Sequence, residues 1–431
     1  MCQGIGGKNR HLRMAKVRTK LKGPSEDGSF DYNEFEKEAI SRLKEGAGLV
    51  GSDGVLTGLI QRLVNAALGG EMNAHLKEER GLGVKNRRNG HTSKQLDTEL
   101  GTVPISPPRD RQGSFEPQLV GKWSRQLGTG LDRQILTLYA HGNSYGDIQA
   151  QLRQLYGLEY STASIAEVTE QVWGEVSAWQ QRALNPFYSA IFLDAIYFTT
   201  REGGKSVKKA VYSVYGVDAE GVRDVLGIYI RETEGAKDWG RVLEDLRRRG
   251  VEDVLFFCVD GLAGFSEAIL EVYPHAFVQR CIVHMIRSST RFVSDKDIKA
   301  VCADLRAVYA AADEAQAQVG LAAFRHKWDN KYPEIAQSWE QNWDELMLFM
   351  DYGENIRRMI YTTNAVEALH RQIRKVTKSK GSWVNDKALL KQLYLILTYG
   401  RGGWKRTVFN WNLISRELRE RFGQRYSQHL E

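Results

Sequence analysis

Ala190-Ile191-Phe192-Leu193-Asp194-Ala195-Ile196-Tyr197-Phe198-Thr199-Thr200 is the stretch on which the fold turns. Aromatic and β-branched residues dominate it, as they do in strands, and a single acid stands in the middle. A charge inside a buried strand is costly unless hydrogen bonds or a cation balance it. Asp194 is therefore either a hydrogen-bonded core residue or a ligand to a positive group. Working forward, Lys209–Val217 and Asp224–Ile230 read as further strands, with Asp218–Gly221 as the turn between them. Gly235–Arg249 reads as a helix with Trp239, Val242, Leu243 and Leu246 on one face. Val254–Val259 is a short continuous apolar run, the kind buried on both faces of a sheet, and Asp260-Gly261 ends it. A helix over Phe265–Val272 and a short strand over Ala276–Val278 follow.

The order β-β-β-α-β-α-β is that of a ribonuclease H-like core, which places the chain in the α/β class. From Cys281 to about Tyr361 the pattern is helical, and another helix starts at Asn364. Working backward from Pro186, residues 131–180 read as three short helices. Ser144 and Ser161 are placed to cap the second and third. Helices of this length and spacing suit a helix-turn-helix DNA reader, and equally a plain three-helix bundle. Residues 83–118 are rich in Gly, Asn, Arg and Pro, with a short alternating piece at Thr98–Ile105, and read as a loop or small hairpin carrying phosphate donors. Residues 31–82 read as helical. The expected organisation is a basic disordered arm (1–30), an N-terminal DNA-binding region (31–130) and a helix-turn-helix-like domain (131–185). The first part of the core (186–280), an all-helical insertion (281–361) and the rest of the core with its C-terminal helices (362–431) complete it.

The net charge of +7 is less informative than its distribution, because residues 1–25 hold seven Lys and Arg and no acid, leaving the remainder balanced. What matters is clustering. Lys85 to Lys94 is one basic run; Arg371, Arg374, Lys375, Lys378 and Lys380 form a second without any acid; Arg401, Lys405 and Arg406 form a third. One such run is commonly a solvated face, but three in one chain point to a nucleic-acid surface. Four scattered cysteines (Cys2, Cys258, Cys281, Cys302) make no disulfide framework and suggest a reducing compartment. No secretory leader or membrane span is expected, so the location read from the sequence is cytoplasmic.

Three acids stand out. Asp194 lies inside a strand, Asp260 at the carboxyl end of another, where ligands of α/β sheets gather, and Glu367 in the first turn of the helix from Asn364. Each has an ordinary explanation: a core hydrogen bond, an Asp-Gly turn, an Asn-x-x-Glu capping box. Together, on this topology, they suit a two-metal site for phosphodiester chemistry, in which Mg²⁺ (or Mn²⁺) takes hard oxygen ligands. Arg374 follows Glu367 by two helical turns and so points the same way, placed to grip a phosphate.

FLDAIYF, GAKDWGRVLEDLRRRGVEDVLFFCVDGLAGF, QRCIVHMIR and YTTNAVEALHRQIRKVTKSKG, together with RNGHTSKQLDTELGTVPISPPRDRQGSFEP, resemble the Mutator-type transposases of bacterial insertion sequences over roughly residues 55–420. The resemblance implies a ribonuclease H-like DDE domain interrupted by an all-helical insertion. It implies that Asp194, Asp260 and Glu367 are metal ligands, that Arg374 is the basic residue following the triad, and that Cys281 and His284 are the family's Cys/Asp-x-x-His signature. That pair lacks the further ligands zinc requires, and is expected to pack Cys281 in a helix start while His284 hydrogen-bonds toward the catalytic core. His370 is a departure, since the family usually carries asparagine there; it is expected to leave Glu367 unaffected or to perturb it mildly.

The function this implies is a transposase that binds the terminal inverted repeats of its element and target DNA, acts as a homodimer on paired ends, cleaves, and transfers strands. The expected DNA contacts are Arg87, Arg88, Lys94, Arg109, Arg111, Arg371, Arg374, Lys375 and Lys378. Trp339 or Trp343, four residues apart on one helix face, is expected to stack on an unpaired base, the alternative being a core pair packed on Leu346 and Phe349. Two other classes share parts of this pattern: a ribonuclease H-like nuclease or resolvase that only hydrolyses, and a non-catalytic DNA-binding regulator.

Overall fold

The computed structural model describes residues 32–49, 54–122, 124, 130–232, 235–361, 364–378, 380–400 and 405–430. The expected arm at 1–30 and Arg401 lie outside them. The chain divides into two compact units, Met1–Leu131 with Gln149–Tyr160, and Asp132–Ile148 with Ser161–Glu431. No helix among the described residues is long and apolar enough to cross a membrane.

In the first unit, α1 (Tyr32–Lys44) and α2 (Thr57–Gly81) precede four short strands, β1 (Arg88–His91), β2 (Lys94–Thr98), β3 (Gly101–Ile105) and β4 (Pro108–Asp110). The alternating piece seen in the sequence is a hairpin: β2 pairs antiparallel with β3, and Leu96, Val103 and Ile105 point the same way into a small core completed by Val64, Leu68 and Val120. β1 and β4 pair antiparallel as a separate ribbon. Its base rests on Asp110, a buried carboxylate that accepts hydrogen bonds from Asn86 Nδ2 (2.7 Å), Ser114 N (3.0 Å), Ser114 Oγ (3.0 Å) and Phe115 N (3.3 Å).

Four helices occupy 130–181: α3 (Gly130–Ala140), α4 (Tyr145–Tyr156), α5 (Thr162–Gln171) and α6 (Trp173–Gln181). Ser144 exchanges hydrogen bonds with Asp147 at the start of α4, and Ser161 Oγ accepts from Ser164 N at the start of α5. The third helix of the sequence reading is interrupted at Val172, which ends α5 and begins α6.

The second unit is built on a six-stranded mixed sheet formed by β5 (Phe187–Glu202), β6 (Lys205–Val217), β7 (Val222–Arg231), β8 (Asp253–Val259), β9 (Phe277–Arg280) and β10 (Arg406–Thr407). Its order is β10-β7-β6-β5-β8-β9. β5, β6 and β7 form an antiparallel meander, whereas β8 and β9 add in parallel. Gly203 and Gly204, both at positive φ, turn β5 into β6. Between the strands run α7 (Ala236–Arg248) and α8 (Phe265–Val272), whose Trp239, Leu243, Phe265 and Ile269 pack with Ile191 and Leu193 on one face of the sheet.

The other face, carrying Phe192 and Ile196, is covered by helices from the second half of the chain. They are α9 (Ile282–Thr290), α10 (Asp295–Tyr309), α11 (Glu314–Trp328), α12 (Pro333–Gln341), α13 (Trp343–Met347) and α14 (Glu354–Ile360), followed by α15 (Asn364–Thr377), α16 (Asp386–Tyr399), α17 (Trp411–Phe422) and α18 (Gln424–Ser427). The helical segment at 281–361 shares one continuous apolar core with this face: Leu305, Leu321, Phe324 and Trp339 belong to the same cluster as Phe192, Leu369 and Leu393.

Candidate active site

Strand alternation puts Asp194 on the same face as Phe192 and Ile196, beneath α15. The acid is buried, 6% exposed. Its Oδ1 accepts from Ala195 N at 2.8 Å, and its Oδ2 lies 3.2 Å from His370 Nδ1. His370, also buried, holds Ser213 Oγ at 3.1 Å through Nε2. The expected neighbour of His370 was Glu367. It reaches Asp194 instead, because a residue three positions along α15 faces the sheet, where the strands supply the nearest polar partners.

Phe192 pairs with Cys258 in the parallel register of β5 and β8; two residues further on, Asp194 lies within β5 and Asp260 stands one residue past the end of β8. Burial raises the Asp260 carboxyl above the ordinary carboxylate range, and the negative charge of Asp194 adds to the effect. His284, the Leu262 N–H and Arg280 oppose it. His284 stands on the first turn of α9, with Cys281 as that helix's N-cap. A hydrogen bond with Cys281, followed by the charges of Cys281, Asp194 and Asp260, pushes its imidazole up to about 9 against the cost of burial. The hydrogen bond of His284 runs to Cys281 and its Nδ1 makes none, so the bond expected toward the core is not found among the described residues, and the two aspartates act on the ring through their charge.

Glu367 lies on the first turn of α15, and Arg287 Nη1 is 2.7 Å from its Oε1. That oxygen makes no hydrogen bond, so the contact is an ion pair outside hydrogen-bond alignment. The cap proposed from Asn364 lies outside the described side chains. Arg287 was missed in the sequence; it follows His284 by three residues, and helical spacing alone would have put it beside the site. Val366, Leu369 and Ile373 bury the inner face of α15, while Arg371, Arg374, Lys375 and Lys378 are exposed and make no ion pair among the described residues.

In the first unit Arg87, Arg109 and Arg111 are exposed on or beside the β1–β4 ribbon, with no side-chain partner among the described residues. Two other expected contacts are engaged in holding the unit together. Arg88 Nη2 donates to Gly69 O (3.0 Å) and Asn73 Oδ1 (2.8 Å), and Lys94 Nζ donates to Gly121 O (2.9 Å) and Lys122 O (3.3 Å). The stacking surface is a further correction. Trp339 is 0% exposed and its Nε1 donates to Ser289 Oγ at 3.0 Å, while Trp343 is half-buried and donates to Glu314 Oε1 at 2.8 Å. The two stand on different helices, because the chain breaks at Asn342 between α12 and α13; Trp339 lies in the core with Leu346 and Phe349 and Trp343 packs partly against it, so Trp339 has no free ring to offer a base.

An acid within β5, another just past the carboxyl end of the adjacent parallel strand β8, a third on the covering helix and a fringe of exposed arginines and lysines characterise this α/β protein. The chain belongs to the Mutator family of transposases, whose profile matches residues 33–407. It is 40% identical to the probable transposase for insertion sequence element ISRM3-like of Sinorhizobium fredii, over 91% of this chain and 99% of that protein. It is 41% identical to the transposase for insertion sequence element ISRM3 of Rhizobium meliloti over the same shares. It is 31% identical to the transposase for insertion sequence element IS905 of Lactococcus lactis over 85% of this chain and 91% of that one. Among solved structures, the Drosophila P element transposase strand transfer complex matches at 13% identity over 70% of this chain and 83% of that chain, with a TM-score of 0.30, too distant a likeness to bear on the fold.

Proposed function

We propose that this chain cleaves DNA at the ends of its mobile element and joins the freed 3′-hydroxyl to target DNA, using a ribonuclease H-like core and the acids Asp194, Asp260 and Glu367. The observation that carries this is the placement of Asp194 within β5 and of Asp260 just past the end of the adjacent parallel strand β8, with β5 packed against the helix that bears Glu367.

The residues suit a hard divalent cation. Burial and the charge of Asp194 act on Asp260, and the buried Glu367 Oε1 makes no hydrogen bond. Among the described residues no three His, Cys, Asp or Glu side chains stand close enough to hold one ion, and Glu367 is ion-paired with Arg287; in this proposal Glu367 joins Asp194 and Asp260 on leaving Arg287. Mg²⁺ or Mn²⁺, when bound, supplies charge neutralisation at the attacking and leaving oxygens. His284, cationic at neutral pH, lends positive charge to the two aspartates. Arg287 and Arg374 are placed to hold phosphate beside the acids. DNA held at Arg87, Arg109 and Arg111 in the first unit and along α15 in the second makes the terminal inverted repeats and the target the partners, with residues 131–185 serving as a helix-turn-helix-like reader and a homodimer pairing the two ends.

The test compares Asp194→Asn, Asp260→Asn and Glu367→Gln on DNA carrying the inverted repeats that flank the coding sequence. Each change is expected to abolish cleavage and joining while leaving end-binding nearly intact, because an amide keeps the shape of the side chain and loses the charge. Near-normal cleavage by any one of the three removes that residue from the set.

A further inference from the structure

Asp194 and Ser213 are direct cross-strand neighbours of β5 and β6, with side chains on the same face. His370 enters between them from α15, 3.2 Å from Asp194 Oδ2 through Nδ1 and 3.1 Å from Ser213 Oγ through Nε2. The Nδ1–Oδ2 approach is a close polar contact outside hydrogen-bond alignment, and it favours the proton on Nδ1, since a carboxylate oxygen only accepts. In the neutral ring Nε2 is then the acceptor, and the Ser213 hydroxyl donates to it. The result is a directed chain, Ser213 to His370 to Asp194, in which every member has a partner. With Ala195 N–H on Oδ1, each carboxylate oxygen of Asp194 has one protein contact and keeps lone-pair capacity for a cation.

A helix does not need such a node to dock. Val366, Leu369 and Ile373 already bury the inner face of α15, and a polar group placed among them costs desolvation unless it is fully paired. The node stands where it touches one acid while belonging to the helix of another, since His370 and Glu367 share a face of α15. We propose that His370, anchored by Ser213, is a positioning residue that fixes the orientation of Asp194 and its spacing from Glu367 for cation binding. This role rests on the carboxylate chemistry proposed above.

The experiment titrates the full-length protein with Mn²⁺, following free metal by electron paramagnetic resonance. Thermal unfolding in EDTA and cleavage of element ends are measured alongside. His370→Phe keeps the ring volume and loses both contacts. It is expected to weaken Mn²⁺ binding about 10- to 100-fold, the range seen when a partner behind a metal ligand is removed. Cleavage should fall in step, with the metal-free melting temperature nearly unchanged. His370→Gln, whose amide can still donate to Asp194, is expected to recover most of the affinity. Ser213→Ala leaves the helix and ring in place and should fall at the lower end of the same range, which decides the matter if His370→Phe does not fold. Wild-type Mn²⁺ affinity in His370→Phe, or an equal loss in His370→Phe and His370→Gln that tracks a fall in melting temperature, overturns the positioning role. Asp194→Asn separates the two readings. If it too binds Mn²⁺ as the wild type does, the carboxylate assignment has failed; if it alone loses Mn²⁺, only the role of His370 has.

Discussion

The hydrogen bond with Cys281, and after it the charges of Cys281, Asp194 and Asp260, hold the proton of His284 against the cost of burial. Below about pH 6.5, the ordinary histidine value, the ring is protonated folded or unfolded, and the stabilising contribution is complete. Between that value and about 9 the unfolded chain has lost the proton that the folded one keeps, so the contribution fades as pH rises through the window. In EDTA the urea midpoint of the wild type should therefore fall from pH 6.5 to 9.5, and that of His284→Phe should fall less; equal slopes would place the titrating group elsewhere. A second residue-level expectation concerns Trp339. As a fully buried core side chain its replacement by alanine should cost about 3–5 kcal/mol in denaturant unfolding. A change of under roughly 1 kcal/mol would restore the idea of a free ring. The three acids were legible in the sequence because each broke a local pattern: a charge in a strand, an acid at a strand end, an acid opening a helix. Arg287 carried one local mark, its helical spacing from His284, which went unused; Ser213 carried none, since its partner His370 is distant in sequence.

At the scale of single elements, α15 has two jobs on opposite faces. The inner one docks the helix and carries Glu367 and His370; the outer one offers Arg371, Arg374, Lys375 and Lys378 to solvent. Exposed cations without ion-pair partners add little to stability, so Arg374→Ala and Lys375→Ala should leave the melting temperature unchanged. If both touch phosphate, the double change should reduce the slope of log affinity against log salt by about 0.9 per contact on duplex DNA. An unchanged slope would take α15 off the DNA path. Elements with one strong signal were read closely from sequence. α8 begins and ends at Phe265 and Val272 as expected, and β5 is longer than its apolar run because Phe187 and Tyr188 pair with β8 at one end and Arg201 and Glu202 pair with β6 at the other. The break between α5 and α6 was invisible: Val168, Val172 and Val176 are buried on one continuous stripe, and periodicity does not register a local departure from helix geometry.

Across the whole molecule, the two compact units differ in how they are stabilised. The second is built around a six-stranded sheet with apolar cores on both faces. The first has a small apolar cluster under its β2–β3 hairpin and depends more on polar groups, Asp110 foremost. A small unit with little apolar surface to bury is the marginal one, so calorimetry should resolve two transitions with the first unit melting lower. Burial pushes the Asp110 carboxyl up, but hydrogen bonds from Asn86, Phe115 N and Ser114 outweigh it and hold the group far below the usual range. Its contribution is therefore complete above about pH 3.9, the unfolded value, and is lost as pH falls below it. Removing the side chain leaves the buried Phe115 N–H without its acceptor and takes a charged acceptor from Asn86 and Ser114, whose side chains keep Glu79, and a hydrogen bond to a charged acceptor is worth roughly 1.5–3 kcal/mol. Asp110→Ala should accordingly lower the first transition by at least about 3 kcal/mol and leave the second where it was. At the temperature between the shifted first transition and the second, binding of duplex DNA that depends on Arg87, Arg109 and Arg111 should be gone, while Mn²⁺ binding at Asp194 and Asp260 persists. If Asp110→Ala instead lowers both transitions together, the units unfold as one cooperative body, and the DNA contacts of the first cannot be lost without the carboxylate site of the second.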